Sequence, residues 1–166
     1  ATGRWKEFTP QTAPLCTAVG YFFAEMVSDV LGIPVGIIDC TWGGSRVESW
    51  MDRSTLESYS GPEADDLSEE GMNRWPAESL RPLKMYNAMI HPITGYTIRG
   101  FLWYQGESNV GGHEWYDRHF ADMVALWRGL WGLGEIPFYY VEIAPYPYTQ
   151  GDLAARLREA QCRALD

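Results

Sequence analysis

The sequence predicts an α/β layered protein with a mainly parallel sheet. Two observations carry that expectation. Stretches with helical apolar spacing alternate with short runs rich in β-branched and aromatic residues, in the order helix, strand, irregular segment, strand, helix, strand, helix. Each strand-like run also gives way to a dense polar cluster, as expected where ligands sit outside the carboxyl ends of parallel strands.

The elements follow in order. "LCTAVGYFFAEMVSDVLG" places Leu15, Val19, Phe22, Phe23, Met26, Val27 and Val30 at helical spacing, and Gly32 supplies a stop. "IPVGIIDCTW" is launched by Pro34 and reads as a buried strand. "GGSRVESWMDRSTLES" reads as glycines followed by a short helix. "LRPLKMYNAMIHPI" reads as broken helix, interrupted by Pro82 and Pro92.

"TIRGFLWYQ" is the second strand. "HEWYDRHFADMVALWRGLWG" sets Tyr116, Phe120, Met123, Val124, Trp127 and Trp131 on one helical face, and "IPFYYVEIAP" is the third strand. "GDLAARLREAQCRALD" closes as a helix with Leu153, Leu157 and Ala160 in register. Doubly wound domains usually have about five or six strands. Further strands are therefore expected at one or both ends, or hidden within residues 52–90. No internal repeat occurs.

Composition bounds the function. The 166 residues are 46% apolar and 21% charged, a globular balance in one domain. A net charge of −9 excludes a phosphate-tracking nucleic-acid binder. No apolar run reaches membrane-spanning length, and no signal peptide is visible. Cys16, Cys40 and Cys162 are widely spaced and spell neither a metal site nor a disulfide framework. His91, His113 and His119 form no H-E-x-x-H, so no zincin-type zinc site is expected. The acids Glu63, Asp65, Asp66, Glu69 and Glu70 read as a solvated loop, with a calcium site as the weaker alternative. Aromatic residues make up 14%, which suits both core packing and sugar stacking.

The clusters after the three strands are "DCTWGGSR", "QGESN" and "EIAPYPYTQ", and all can line one mouth. Gly43 and Gly44 let backbone N–H groups approach a ligand, as an oxyanion hole requires, or simply make a tight turn. Ser45 is not framed by G-x-S-x-G and is expected to cap the following helix. Gln105 can donate to a developing negative charge. Glu107 would repel such a charge and is expected to orient a partner, act as a base or pair with a cation such as Arg46. Asn109 is expected to cap the turn. His91 is expected to be a hydrogen-bonded structural residue, and His113 and His119 to be exposed.

Together these stretches resemble the sialate O-acetylesterase family, carbohydrate esterases of the SGNH hydrolase superfamily. The likeness rests on "TAVGYFFAEMV", "IPVGIIDCTWGGSRVESWM", "MYNAMIHPI" and "IRGFLWYQGESN", covering roughly residues 15–56 and 85–109. It implies an SGNH, flavodoxin-like three-layer α/β/α sandwich that removes acetyl groups from sugars such as O-acetylated sialic acid. It also implies a serine nucleophile, a histidine relay, an orienting aspartate and no cofactor.

The family's glycine block matches Gly43–Gly44 and its third block matches Gln105–Gly106–Glu107, with Gln105 as donor and Glu107 as orienter. Trp42, Arg46, Asn109 and Tyr146 are expected to contact substrate. The Gly-Gln-Ser-Asn block holding the family's serine is absent, as is its D-x-x-H block. Residues 1–166 are thus expected to be a single partial esterase domain, incomplete at both ends and inactive alone. A separate or missing segment would supply Ser, Asp and His. Relatives of this kind are expected in secreted, periplasmic or lysosomal settings. The competing readings are a retaining glycosidase using Glu107 and Glu142, and a sugar-binding remnant without catalysis.

Overall fold

The structure is a computed structural model that describes residues 3–148 and 151–164. Thr149 and Gln150 of the third polar cluster, and the last two residues of the predicted final helix, lie outside the described residues. The chain forms two compact units, Ala1–Thr41 and Trp42–Asp166.

The first unit holds a 3₁₀ turn, Ala13–Leu15, and helix α1, Ala18–Leu31. Thr17 caps α1 by accepting from the Gly20 N–H, and its own N–H donates to Asp39 Oδ2 at 3.1 Å. Gly32 ends the helix in the left-handed conformation (φ 65°) and returns its N–H to Ser28 O. A Cβ at Gly20 would lie 2.6 Å from Thr17 Cγ2 and 3.0 Å from Ile37 Cγ2, so glycine lets the 33–40 segment approach the helix. That segment is not the strand its β-branched run predicts. Strand propensity becomes a ladder only beside a partner, and among the described residues the paired strands are the two of the second unit.

In the second unit, a 3₁₀ turn, Val47–Trp50, leads into α2, Arg53–Leu56, capped by Asp52. Helix α3, Glu69–Asn73, is capped by Ser68. The segment between α3 and the sheet is broken, as Pro82 and Pro92 predict: a 3₁₀ turn at Glu78–Leu80, a π-turn at Tyr86–Ile90 and another 3₁₀ turn at His91–Ile93. Strand β1, Phe101–Tyr104, is followed by a 3₁₀ turn, Glu107–Gly112, and helix α4, His113–Trp131. Strand β2, Phe138–Val141, and helix α5, Leu153–Arg163, complete the unit.

The strands are parallel, with Phe101 opposite Phe138 and Tyr104 opposite Val141. Alternation turns Phe101, Trp103, Phe138 and Tyr140 toward α4, where Phe120 meets Phe138 at 5.8 Å and Tyr140 at 5.4 Å. Trp103 packs edge-to-face on both Trp50 (5.7 Å) and Trp127 (5.5 Å), and the Trp127 indole donates to Trp50 O. Tyr116, Phe120, Met123, Trp127 and Trp131 are buried along α4 as the periodicity predicts, while Val124 is only half-buried.

Candidate functional site

The site lies where the 43–48 turn meets the turn after β1. Gly106 makes that second turn possible. It adopts φ 153°, and a Cβ there would lie 2.8 Å from Ile143 Cγ2 and 2.9 Å from Leu157 Cδ2. Asn109 N donates to Gly106 O at 2.8 Å and closes the turn.

A buried polar network joins the two turns. Gln105 Nε2 donates to Ser45 O and to Asn109 Oδ1, both at 2.8 Å. Asn109 Oδ1 also accepts from Val47 N at 2.9 Å, and its Nδ2 faces both Glu48 oxygens at 3.1 Å. Glu48 further receives His119 Nδ1 at 2.9 Å and Arg46 Nη2 at 3.1 Å. Two side chains steady Gln105 from behind: the Tyr116 hydroxyl donates to its Oε1 at 3.0 Å, and Gln161 Nε2 to its backbone O at 3.0 Å. Hydrogen bonds this dense hold the members in one arrangement, with His119 Nε2 and Asp65 Oδ2 the atoms of the cluster left without a hydrogen-bond partner among the described residues.

Burial pushes the Glu48 carboxyl up, but the His119 hydrogen bond and the Arg46 charge outweigh it and hold the group at about 2. Glu48 is therefore a carboxylate at neutral pH, so His119 Nδ1 carries the hydrogen between them.

Arg46 is enclosed. Its second nitrogen pairs with Asp65 Oδ1 at 3.1 Å, and its guanidinium lies 4.1 Å from the Trp75 ring centroid. Arg46, expected to contact substrate or pair with Glu107, is thus engaged by Glu48, Asp65 and Trp75. The Asp65 carboxyl is pushed up by burial despite Arg46, and the charge of Glu48 adds to the rise.

Several expectations need correction. His119 is buried, not exposed: its ring stacks on Tyr59 at 4.1 Å, with Nε2 3.7 Å from Glu63 Oε2. The Glu63 and Asp65 side chains are only 11% exposed and turn inward, because Arg118 and Arg46 offer them partners; Asp66, Glu69 and Glu70 stay in solvent. Asn109 serves less as a turn cap than as the junction of the network. Ser45 is not the helix cap, a position taken by Arg46; it is buried and its Oγ accepts the Trp50 indole N–H at 2.9 Å. His91 is exposed, in tilted ring contact with Tyr86.

The remaining residues face outward. Gly43, Gly44 and Glu107 are exposed, Trp42 is 52% and Tyr146 63% exposed. Tyr146 pairs with Tyr148 at 5.0 Å. Glu107 stands close enough to Tyr148 that its charge, after burial, helps push that phenol up. Gln105, expected as an oxyanion donor, gives its amide hydrogens to Ser45 and Asn109. Glu142 is exposed and accepts from Cys162 Sγ at 3.1 Å.

Glu48 and the hydroxyl of Tyr116 were not singled out by the sequence reading. A signal existed: Glu48 sits between Val47 and Trp50, and His119 interrupts the apolar face of α4.

Residues 11–166 match the family described as carbohydrate esterase, sialic acid-specific acetylesterase. The human sialate O-acetylesterase is 31% identical over 113 residues, covering 68% of this chain and 21% of that protein. The mouse sialate O-acetylesterase is 28% identical over 160 residues, covering 78% of this chain and 30% of that protein. The crystal structure of a carbohydrate acetylesterase from Xanthomonas citri superposes with a TM-score of 0.84 at 36% identity, covering 99% of this chain and 35% of that one. The chain thus spans 21% to 35% of the length of these relatives. The α/β fold with its parallel sheet is the SGNH-like fold of that esterase. This chain belongs to the sialic acid-specific acetylesterase family of carbohydrate esterases.

Proposed function

We propose that residues 1–166 belong to one SGNH-type domain of a carbohydrate O-acetylesterase and contribute the oxyanion side of its site. The observation that carries this reading is the fastening of the Gly43–Gly44 turn to the 105–107 turn through the bond from Gln105 Nε2 to Ser45 O. Hydrolysis of an acetyl ester by a serine places negative charge on the carbonyl oxygen, and donors fixed beforehand stabilise it most. The exposed glycines offer backbone N–H groups there, and Gln105 holds their turn in place.

Glu107, Trp42 and Tyr146 face the sugar. The carboxylate accepts hydroxyls and the rings offer apolar faces to a pyranose. The attacking serine and its Asp/His pair come from outside these residues. Ser45 Oγ is buried against an indole, His119 is bound to Glu48, and His113 Nδ1 lies against Val110 O. The test is acetate release from O-acetylated sialic acid and other O-acetylated sugars by the protein at its full natural length. Steady release that stops when Gly43 and Gly44 are both replaced by Pro supports the reading. No release from any O-acetylated sugar overturns it.

A further inference from the structure

We infer that Glu48 and His119 are positioning residues for the oxyanion side of the site, acting on it through Asn109 and Gln105. The inference rests on the esterase reading above. A relay of hydrogen bonds carries it. His119 Nδ1 donates to Glu48 Oε1 at 2.9 Å, and Asn109 Nδ2 donates to both Glu48 oxygens at 3.1 Å. Asn109 Oδ1 then receives both Val47 N and Gln105 Nε2, and Gln105 fixes Ser45 O, one residue beyond Gly44.

The orientation of each amide in this relay is dictated by its neighbour. A carboxylate at Glu48 can only accept, so Asn109 must present its NH₂ to it and turn its oxygen away. That oxygen can only accept, so Gln105 must turn its NH₂ inward, and its own oxygen meets the Tyr116 hydroxyl. One buried charge thereby sets the direction of two amides and the spacing of two turns.

Packing alone does not call for this arrangement. Charges buried this deeply are costly, and well-packed apolar side chains of similar volume often stabilise a fold as well or better. The groups bound to Glu48 also lead outward to the mouth. Arg46 lies two residues beyond Gly44, and Asn109 lies in the 3₁₀ turn that begins at Glu107. The Glu48 backbone is held independently, its carbonyl accepting from Leu83 N at 3.2 Å, so the side chain can be altered while the turn keeps an anchor.

The test compares variants in the protein at its full natural length, with an O-acetylated sugar as substrate. Glu48→Gln keeps the shape but puts a donor where only acceptors fit. It should lower kcat about 10- to 100-fold, with KM within about 3-fold, because misplacing catalytic groups by about 1 Å costs rate on that scale. His119→Phe fills the space without donating and should lower kcat similarly. His119→Asn, which can place an N–H near the former Nδ1, should recover most of that loss. A purely structural role would lower the unfolding temperature of these variants while leaving kcat of the folded protein unchanged. Wild-type turnover in a folded Glu48→Gln protein overturns the inference. If that variant does not fold, equal kcat for His119→Phe and His119→Asn overturns it. An inactive wild type instead overturns the esterase reading, and the inference with it.

Discussion

Tyr116 and His119, three positions apart on one face of α4, hold the two ends of a single buried network. Tyr116 donates to Gln105 Oε1 at 3.0 Å, and His119 Nδ1 meets Glu48 Oε1 at 2.9 Å. Positions separated by three residues share a helix face, so one helix orients both the turn after β1 and the turn after the glycines. The same helix face packs on the sheet through Phe120 and Trp127. Displacement of α4 would therefore reach the sheet and the site together.

Acid should destabilise this network through Glu48. Its carboxyl titrates at about 2 in the fold against 4.5 ordinarily, so its contribution is complete above about 4.5 and is lost as pH falls toward about 2. A difference of that size corresponds to about 3 kcal/mol. Asp65, pushed up by burial, has the opposite sign and offsets part of the loss. Urea unfolding at about pH 5.5 and about pH 3 should show the loss in the wild type and a smaller one in Glu48→Gln. Equal losses would refute the assignment.

Gly106→Ala should be destabilising by about 2 kcal/mol or more, since it adds overpacking to an unfavourable backbone conformation. The added methyl would meet Ile143, Leu157 and Gln161 within 3.3 Å. Calorimetry of the variant checks this, and an unchanged transition would show that the turn adapts.

Asn109→Asp changes almost no volume but brings a second carboxylate against Glu48. Burying like charges together should cost about 3 kcal/mol or more near neutral pH. The defect should shrink as pH falls, because a proton shared between the two carboxyls replaces the lost N–H. A pH-independent defect in denaturant titrations would contradict this.

Cys162 tests the role of Glu142, which follows β2 at the same carboxyl end of the sheet as Gln105 after β1. Its thiol is pushed up by the hydrogen bond to Glu142, so its thiolate is scarce at neutral pH. Glu142→Gln should raise its alkylation rate by iodoacetamide about several-fold. Acetylesterase turnover should be unchanged by the same substitution, whereas a glycosidase relying on Glu142 would be inactivated.

Much of the second unit was legible because it rests on local periodicity. The apolar face of α4 from Tyr116 to Trp131, the FLWY and FYYV strands and the Leu157–Ala160 face of α5 follow from spacing alone. The partners of the polar residues were not legible. Glu48 lies 71 positions from His119 and 61 from Asn109, and no local rule reports a hydrogen bond across such distances. The same limit applied to Glu63 and Asp65, whose composition reads as solvated until Arg118 and Arg46 draw them inward. The IPVGIIDC run failed as a strand for a related reason: its residues favour extension, but pairing is decided by a neighbour elsewhere in the chain.

The most direct measurement is labelling of the 166-residue chain with a fluorophosphonate, with any adduct located by mass spectrometry. The chain should carry no specific adduct, because Ser45 Oγ is held by Trp50 and the His119 ring is engaged by Glu48. Stoichiometric labelling of Ser45 or Ser108 would show an activated nucleophile within these residues and contradict their assignment to the oxyanion side alone.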